Sequence, residues 1–289
     1  MWGTRGNDVI DVALPEHSSF AGWGAEGRVN PQRDFGQPVF PLRVCRHVLI
    51  LGGHGKVSQF LTPLLLKKSW TVTSVIRAQE QVPAIEKLGA GQAGKLNVLV
   101  RSIEDVSDQA KAQAILDEVK PDTITFAIDR DAAIYFVKAA VATPSVKKFI
   151  LVSYLSSRRT KPTWWSDQAW QDAQEGNKKL ANYFQAKVAA DEVLWQESKK
   201  RPDFSGVSLR PGALTEAPAG KVEFGRTKGV KGSSSRESVA EVAALIAENN
   251  AFATSWVDHL DGDEDPKTAV DRVASGKVDV AEGEEFYKA

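Results

Sequence analysis

A glycine-rich turn between a strand-like and a helix-like segment constrains this chain more than any other feature. Residues 47–51 form an apolar run with the length and β-branched content of a buried parallel strand. Glycines follow at positions 52, 53 and 55, and residues 59–68 are apolar at helical spacing. Glycines let the backbone turn tightly and approach a pyrophosphate, while amide N–H groups at the helix start point at its oxygens. The sequence therefore predicts a phosphate-binding strand–turn–helix unit, with Ser58 where the third glycine usually falls.

The next segment bears on which dinucleotide such a unit would take. Residues 70–76 alternate and are rich in β-branched side chains, which predicts a second strand that ends at Arg77. A site for NAD usually places an acidic residue here to hold the ribose 2′-hydroxyl. An arginine instead suits a 2′-phosphate, because a guanidinium can make paired contacts with phosphate oxygens. Together with Lys56 in the turn, Arg77 favours NADP over NAD; the alternative is that Arg77 is a solvated residue at the strand end.

Composition limits the class of partner and the compartment. The chain of 289 residues has 37 Lys and Arg against 37 Asp and Glu, a balance that argues against nucleic acid or a membrane surface as the main partner. No apolar stretch approaches the length needed to span a bilayer. The single cysteine, Cys45, excludes an internal disulfide and fits a reducing, cytoplasmic compartment. The four histidines show no metal-ligand spacing, so no metal is expected.

Residues 1–44 differ from the rest of the chain. They are rich in Gly, Pro, Asn and Arg and show no sustained period. They contain no apolar core of a secretory signal, and acids such as Asp8 and Asp11 are unlike a mitochondrial presequence. We predict a mostly disordered extension, followed by a single domain over residues 45–289. A short docking segment that uses Trp23 and Phe35 is the alternative.

From His47 onward, strand-like and helix-like segments alternate. The predicted strands are residues 47–51, 70–76, 95–100, 122–125, 148–153, 206–212 and 255–260. The predicted helices are residues 59–68, a segment ending at 84–88, and 108–119, 132–142, 182–198 and 237–249. This rhythm predicts an α/β fold: a doubly wound, Rossmann-like parallel sheet with helices on both faces.

Chemistry is expected beyond the carboxyl ends of the strands. The fifth predicted strand ends in residues 153–159, Ser-Tyr-Leu-Ser-Ser-Arg-Arg, and a helix carries Tyr183-x-x-x-Lys187. Four-residue spacing puts the phenol and the ammonium on one helical face. A nearby ammonium favours the phenolate form, so the pair could relay a proton to or from a carbonyl oxygen. The alternative is a surface pair without a chemical role.

Three other features have a functional and a structural interpretation. Trp164, Trp165 and Trp170 could wall an apolar substrate pocket, or could simply pack a lid. Arg158 and Arg159 are interpreted as a solvated pair rather than as partners of an acidic substrate. The acidic residues 261–265 are interpreted as a solvated turn, because they lack the ligand spacing of a calcium loop.

From about His47 to the C-terminus, the chain resembles the atypical, NmrA-like branch of the short-chain dehydrogenase/reductase superfamily, and in particular uncharacterised fungal NAD(P)-binding proteins. The resemblance is carried by Gly52-x-x-Gly55-x-x-Ser58, Leu151-Val152-Ser153, Tyr183-x-x-x-Lys187, Arg210-Pro211-Gly212 and the helix start at residues 235–243.

The resemblance implies roles for residues along the carboxyl edge of the sheet. The pyrophosphate of NADP, or of NAD, would be held by Gly52, Gly53, Gly55, Lys56 and Val57. Arg77 would hold the 2′-phosphate, Ser102 and Ile103 would flank the adenine, and Pro211 would lie beside the nicotinamide. Tyr183 would be the general acid/base, and Lys187 would hold the nicotinamide ribose and tune the tyrosine.

The chain departs from the family pattern at three points. Tyr154 stands where the family has a substrate-orienting serine, so Ser153 or Ser156 would have to substitute. Ser102 stands where the branch often has an aspartate near the adenine. The segment after the fourth predicted strand, residues 126–131, lacks the small-residue loop that lies against the cofactor.

Three functions remain open from the sequence. The first is an NADP(H)-dependent oxidoreductase on a small carbonyl-type substrate, with Tyr183 exchanging the proton. The second is a non-catalytic, NmrA-like regulator that senses a dinucleotide and binds a protein partner, which Tyr154 and the short segment favour. The third is a damaged chain that binds little.

Overall fold

The computed structural model describes residues 46–126 and 130–288. The strands in this part are β1 (His47–Leu51), β2 (Thr71–Ile76), β3 (Lys95–Val100), β4 (Thr123–Phe126), β5 (Lys148–Val152), β6 (Ser205–Pro211), β7 (Ala213–Thr215), β8 (Val222–Gly225), β9 (Ser233–Ser235) and β10 (Ser255–Asp261). The α-helices are α1 (Lys56–Lys67), α2 (Val82–Glu86), α3 (Gln109–Val119), α4 (Arg130–Ala142), α5 (Asp167–Lys179), α6 (Ala181–Lys199), α7 (Arg236–Glu248) and α8 (Pro266–Ser275).

Two predictions concern residues outside this part. The predicted disordered extension, residues 1–44, lies outside the described residues. The segment predicted to be short after the fourth strand lies partly outside them as well: β4 ends at Phe126 and α4 begins at Arg130, and residues 127–129 between them are not among the described residues. Both expectations therefore stay predictions.

The central sheet has the strand order β3-β2-β1-β4-β5-β6-β10-β8. The first seven strands in this order pair in parallel, and β8 joins β10 antiparallel at the edge. A separate two-stranded parallel sheet pairs β7 with β9. The order reverses between β1 and β4, which is the switch point of a doubly wound sheet and the place where such folds bind nucleotides. The predicted Rossmann-like α/β fold is confirmed.

The alternation of side chains along β1 shows why helices cover both faces. Val48 and Ile50 belong to one hydrophobic cluster, with side chains from α1, α7 and α8. Leu49 and Leu51 belong to a second cluster on the opposite face, with side chains from α3, α4 and α6. Successive side chains of a strand point to opposite faces, so a wholly apolar strand must be covered twice. Full burial of each of these four side chains contributes roughly 1.5–3 kcal/mol.

Most predicted elements are present within one or two residues of their expected ends, but α5, α8 and strands β7 to β9 were not predicted. Helix α5 is mostly polar and fully buries only Ala173 and Asn177, so its apolar side is narrow. The acidic stretch interpreted as a solvated turn leads directly into α8. Its last residue, Asp265, caps that helix by accepting a hydrogen bond from the Thr268 N–H at 2.9 Å. The short strands β7 and β9 have three residues each, too few for a period to show.

None of the helices in the described ranges combines the length and apolar character that crossing a bilayer requires.

Candidate functional site

The glycine turn is held tightly against the second strand. Gly52 has a φ of 84°, in the left-handed region that favours glycine. The Gly53 N–H donates to the carbonyl of Val75 at 2.8 Å, and a Cβ at position 53 would lie 1.7 Å from Ser74 Oγ. Gly55 precedes α1, whose first turn has neither a side-chain cap nor an acidic residue. The amide groups at this helix start are therefore available to an anion.

A cleft of about 280 Å³ opens beside this turn at the carboxyl edge of the sheet. It brings together five predicted cofactor residues, Gly52, Gly55, Arg77, Ser102 and Ile103. The remaining lining residues were not predicted, namely His54, Val75, Ile76, Gln81, Arg101 and Glu104. The predicted residues Gly53, Lys56 and Val57 are not part of the lining.

Two of these three residues have other roles in the turn. The Val57 side chain is buried in the hydrophobic core, so only its backbone is free to face a ligand. The Lys56 side chain is exposed, and its Nζ lies 2.6 Å from Oε1 of Glu216, a residue just beyond β7.

Two arginines lie at the far end of this cleft. Arg77 follows β2 and Arg101 follows β3, and the Arg101 N–H donates to the carbonyl of Ile76 at 2.8 Å. The Arg77 guanidinium is 71% exposed and lies 3.9 Å from Glu104 Oε1. Sequence reasoning missed Arg101, although its place directly after the third strand matches that of Arg77 after the second.

A second cleft, of about 420 Å³, continues toward α6. It shares Ile103 and Glu104 with the first cleft, and α6 contributes Asn182 and Ala186 to its wall. We refer to the two clefts together as the carboxyl-edge groove. The groove thus runs from the glycine turn to α6, although neither Tyr183 nor Lys187 is among its lining residues.

Helix α6 carries Tyr183 and Lys187 at the end of the fifth strand. Lys187 is 8% exposed, and its Nζ donates to the carbonyl of Val152, the last residue of β5, at 3.2 Å. The same Nζ lies 5.5 Å from the centre of the Tyr183 ring. Tyr183 is 45% exposed, and the Tyr154 ring meets it edge-on with 5.5 Å between ring centres. The structure thus places the predicted pair together beside the carboxyl end of β5.

Ser153, the predicted substitute for the substrate-orienting serine, has another partner. Its side chain is buried, and its Oγ donates to Asp191 Oδ2 at 2.6 Å. Asp191 is fully buried, and burial raises the pKa of its carboxyl while Arg210 acts in the opposite sense. Sequence reasoning missed Asp191. The available signal was its position, four residues beyond Lys187 on the same face of α6.

Pro211 ends β6 next to the segment that follows β5. It is buried, and its carbonyl accepts a hydrogen bond from the Leu155 N–H at 3.0 Å. The prediction that Arg158 belongs to a solvated pair is wrong, because Arg158 is 1% exposed and lies 4.9 Å above the Trp165 ring. Its neighbour Arg159 is exposed and pairs with Glu192 at 2.5 Å.

The tryptophans fit the packing interpretation better than the substrate-wall interpretation. Trp165 is 2% exposed, and its indole N–H donates to the carbonyl of Thr227 at 2.9 Å. It forms a hydrophobic cluster with Leu155, Ala173 and Leu260, and Trp164 and Trp170 pack against that cluster. Across the described ranges, no three His, Cys, Asp or Glu side chains gather as metal ligands.

Comparison with known proteins identifies the class to which this fold and groove belong. Residues 52–250 match a family described as NAD(P)H-binding, and this match covers more than half of the chain. The chain therefore belongs to the NAD(P)H-binding family of Rossmann-like proteins.

Among curated proteins, a UPF0659 protein of Schizosaccharomyces pombe is 27% identical to the chain over 232 residues. The alignment covers 74% of this chain and 89% of the relative. The fungal relative agrees with the expected resemblance, while the NmrA-like branch stays a prediction.

Solved structures of the same fold include several redox proteins. The oxidoreductase ylbE of Lactococcus lactis aligns with a TM-score of 0.62 at 20% identity, over 79% of this chain and 97% of that one. A Bacillus halodurans protein provisionally assigned as an NAD-dependent epimerase/dehydratase aligns with a TM-score of 0.59 at 23% identity, over 78% and 99%. ChuY, an anaerobillin reductase of Escherichia coli, aligns with a TM-score of 0.58 at 19% identity, over 76% and 99%. At these identities the likeness shows the shared fold alone.

Proposed function

We propose that this NAD(P)H-binding protein is an oxidoreductase that uses NADP(H) and acts on a small carbonyl-type substrate. The observation that carries the proposal is the position of Lys187. Its ammonium donates to the last carbonyl of β5 and lies near the face of the Tyr183 ring, on the helix whose Asn182 and Ala186 line the groove. A proton donor beside the nicotinamide end is what a carbonyl reductase needs in addition to its hydride source.

The bound dinucleotide would supply or accept the hydride. Tyr183 would exchange the proton with the carbonyl oxygen, and its partial exposure leaves the phenol accessible to a substrate. The Lys187 charge would stabilise the phenolate that forms when the proton leaves. Gly52 and Gly55 would let the pyrophosphate approach the start of α1, as the family membership implies.

The preference for NADP over NAD is supported by two guanidinium groups. Arg77 and Arg101 leave neighbouring strands at the same end of the groove, and both line it. A 2′-phosphate between them would receive charge-assisted hydrogen bonds from planar donors. Glu104 also lines this end and pairs with Arg77, so the phosphate would have to displace its carboxylate from the arginine.

A second function is supported by the hydroxyl group of Ser153. Because Ser153 Oγ donates to the buried Asp191, it is not positioned as a free donor for a substrate carbonyl. Tyr154, which stands at the family's serine position, contacts Tyr183 through its ring. A site without a substrate-orienting hydroxyl suits an NmrA-like regulator that binds the dinucleotide and passes the signal to a protein partner.

One experiment separates these functions. Thermal unfolding is measured with NADPH, NADP, NADH and NAD, since a ligand at about 100 times its Kd stabilises the folded state by roughly 2.7 kcal/mol. Oxidation of the bound reduced cofactor is then followed with a panel of aldehydes, ketones and quinones. The variants are Tyr183→Phe and, as a matched control, Tyr135→Phe on α4.

We expect turnover in the wild type and in the control, and loss of turnover with retained binding in Tyr183→Phe. Full turnover by Tyr183→Phe would refute the proton relay. Saturable binding without turnover of any substrate would favour the regulator.

A further inference from the structure

A buried carboxylate extends the face of α6 that carries Tyr183 and Lys187. Asp191 lies one helical turn beyond Lys187, and its side chain is fully buried. Its Oδ2 accepts hydrogen bonds from Ser153 Oγ and Ser157 Oγ, each at 2.6 Å, and lies 3.4 Å from Arg210 Nη1. One oxygen atom thus collects three donors from two different segments of the chain.

The same arginine holds the backbone that follows β5. Arg210 donates to the carbonyl of Leu155 and to the carbonyl of Ser157, each at 2.8 Å. Its Nε donates to the buried Asp258 at 3.1 Å. Residues 153–157 are therefore fixed by their hydroxyl groups on Asp191 and by their carbonyl groups on Arg210.

Tyr154 lies within this fixed segment. Its neighbours Ser153 and Leu155 are both among the held residues, and its ring contacts the ring of Tyr183. One residue before Ser153, the Val152 carbonyl receives the Lys187 ammonium. The segment that Asp191 Oδ2 holds therefore carries the Tyr154 ring, which contacts Tyr183, and directly follows the Val152 carbonyl, which contacts Lys187.

The energetic cost of burying a carboxylate indicates that Asp191 does more than stabilise the fold. Taking a carboxylate out of water costs several kcal/mol, and a buried ion pair often contributes no more than apolar residues of the same volume would. Unlike an apolar side chain, the carboxylate also fixes the orientation of its neighbours, because its hydrogen bonds are satisfied in only one arrangement of them. The hydrogen bonds from Ser153, Ser157 and Arg210 all reach Oδ2, and the Ser208 hydroxyl on β6 also acts on the carboxyl by lowering its pKa.

We propose that Asp191 is a positioning residue for the Tyr183–Lys187 pair. Through Ser153, Ser157 and Arg210 it fixes residues 153–157 against α6, which sets the contact of Tyr154 with Tyr183. Ser153 then serves as a donor to Asp191 and not as the substrate-orienting hydroxyl of the family pattern. This inference rests on the proposed function for the role of the pair, but its test does not depend on turnover.

The test uses fluorotyrosine labelling and ¹⁹F NMR, because the chain has four tyrosines. Tyrosine-to-phenylalanine variants assign the four signals. Asp191→Ala removes the acceptor, and Asp191→Asn returns one acceptor oxygen at the same place. The matched control is Asp279→Ala: Asp279 is also buried, its pKa is also raised by burial, and it accepts a bond from Trp195 Nε1 at 2.8 Å.

We expect Asp191→Ala to shift or broaden the signals of Tyr154 and Tyr183 while the Tyr135 signal keeps its position. Asp191→Asn should restore most of the wild-type positions. Asp279→Ala should move the signal of Tyr287, which packs 5.5 Å from Trp195, and leave the Tyr154 and Tyr183 signals unchanged. Where turnover is measured, Asp191→Ala should lower kcat about tenfold or more and change the dinucleotide Kd less than about twofold, because misplacement affects the reacting geometry.

Two results would overturn the inference. One is unchanged Tyr154 and Tyr183 signals in a folded Asp191→Ala variant, and the other is an equal shift of both signals in Asp279→Ala. If Asp191→Ala does not fold, the double variant Ser153→Ala/Ser157→Ala removes the two hydroxyl donors instead. The same shifts of the Tyr154 and Tyr183 signals then test the inference. A chain that shows no turnover would refute the proposed reductase, yet the signals would still decide on Asp191.

Discussion

Lys56, the first residue of α1, and Glu216, just beyond β7, form an ion pair with 2.6 Å between Nζ and Oε1. Arg236, the first residue of α7, approaches the same oxygen at 3.0 Å. The pair links the glycine turn to the segment that follows β7. The hydrogen bond from Lys56 holds the pKa of the Glu216 carboxyl below its usual range. A carboxylate therefore pairs with Lys56, the cation predicted to hold the pyrophosphate.

We predict that Glu216→Gln tightens dinucleotide binding. The substitution releases Lys56 toward the pyrophosphate and removes a negative charge near it. The expected decrease in Kd is roughly twofold to fivefold, the range of an exposed ion pair, and it should shrink at high salt. Isothermal titration with the preferred dinucleotide at two salt concentrations measures it.

Glu264→Gln is the matched control for this prediction. It breaks another exposed pair, Glu264 with Arg272 at 2.6 Å, at the α8 side of the sheet. Its Kd should equal that of the wild type. Weaker binding by Glu216→Gln would instead mean that the pair closes over the bound cofactor.

A second prediction concerns the choice between NADP and NAD. Arg77→Gln removes a guanidinium from the end of the groove, so the Kd for NADPH should rise by roughly tenfold or more, as expected for a charge-assisted hydrogen bond. The Kd for NADH should change little, because NADH has no 2′-phosphate for Arg77 to contact. Arg101→Gln should act in the same direction.

Fluorescence titration of both reduced cofactors provides the ratio of the two Kd values. Lys87→Gln is the control, since Lys87 is exposed in the turn that precedes β3 and does not line the groove. An equal rise in the Kd values for NADPH and NADH in Arg77→Gln would show that this arginine does not bind the 2′-phosphate.

The carboxyl-edge groove and the network around Asp191 differ in how far the sequence predicts them. The groove was predictable because a local pattern defines each strand, and parallel strands bring their carboxyl ends to one edge. Gly52, Arg77 and Ser102 follow three different strands, and all line the same cleft. Arg101 obeys the same rule and was missed, although the next residue along the chain, Ser102, was predicted to contact the cofactor.

The network around Asp191 was not predictable in this way. Ser153 and Asp191 are separated by 38 residues, and nothing local to either one specifies that they meet. The burial of Arg158 depends on Asp258, whose Oδ2 lies 3.8 Å from Arg158 Nη2, and that contact also spans distant parts of the chain. Helix α5 and the short strands were missed for a different reason, because a mostly polar helix or a very short strand shows only a weak apolar pattern.

A third prediction concerns stability and pH. Lys148 begins β5 with a buried ammonium that donates to the carbonyls of Ile246, at 2.7 Å, and Asn249, at 2.6 Å. Burial, with a smaller effect of Arg46, lowers the pKa of Lys148 from 10.5 to about 7. Between these values the unfolded chain holds a proton that the folded chain has released. The free energy of unfolding should therefore rise with pH in this window, by at most about 1.4 kcal/mol per pH unit.

Urea unfolding of the wild type and of Lys148→Met from pH 7 to 10 measures this effect. The difference between the two should grow in favour of the wild type as the pH rises, because methionine has no proton to release. Lys147→Met is the control, since Lys147 is exposed and pairs with Asp203 at 2.5 Å. Parallel curves for the wild type and Lys148→Met would contradict a lowered pKa.

The fourth prediction concerns the contact between the glycine turn and β2. A Cβ at Gly53 would lie 1.7 Å from Ser74 Oγ and 3.0 Å from Ser74 Cβ, so Gly53→Ala should destabilise the fold. The expected loss is about 1–3 kcal/mol in the free energy of unfolding, as for other overpacked sites. Because the turn would move to relieve the clash, dinucleotide affinity should fall as well. Denaturant unfolding and the cofactor titration measure both effects.

Ser74→Ala provides the decisive comparison for this contact. Ser74 Oγ is buried without a hydrogen-bond partner, so its removal alone should cost little. In the double variant the closest clash is gone, but the Cβ atoms remain at 3.0 Å, so stability and affinity should recover in part. Gly220→Ala is the control, because no atom lies within 4 Å of the added Cβ and stability should be nearly unchanged. If Ser74→Ala restores neither stability nor affinity to Gly53→Ala, the backbone of the turn, and not Ser74, is what excludes the alanine side chain.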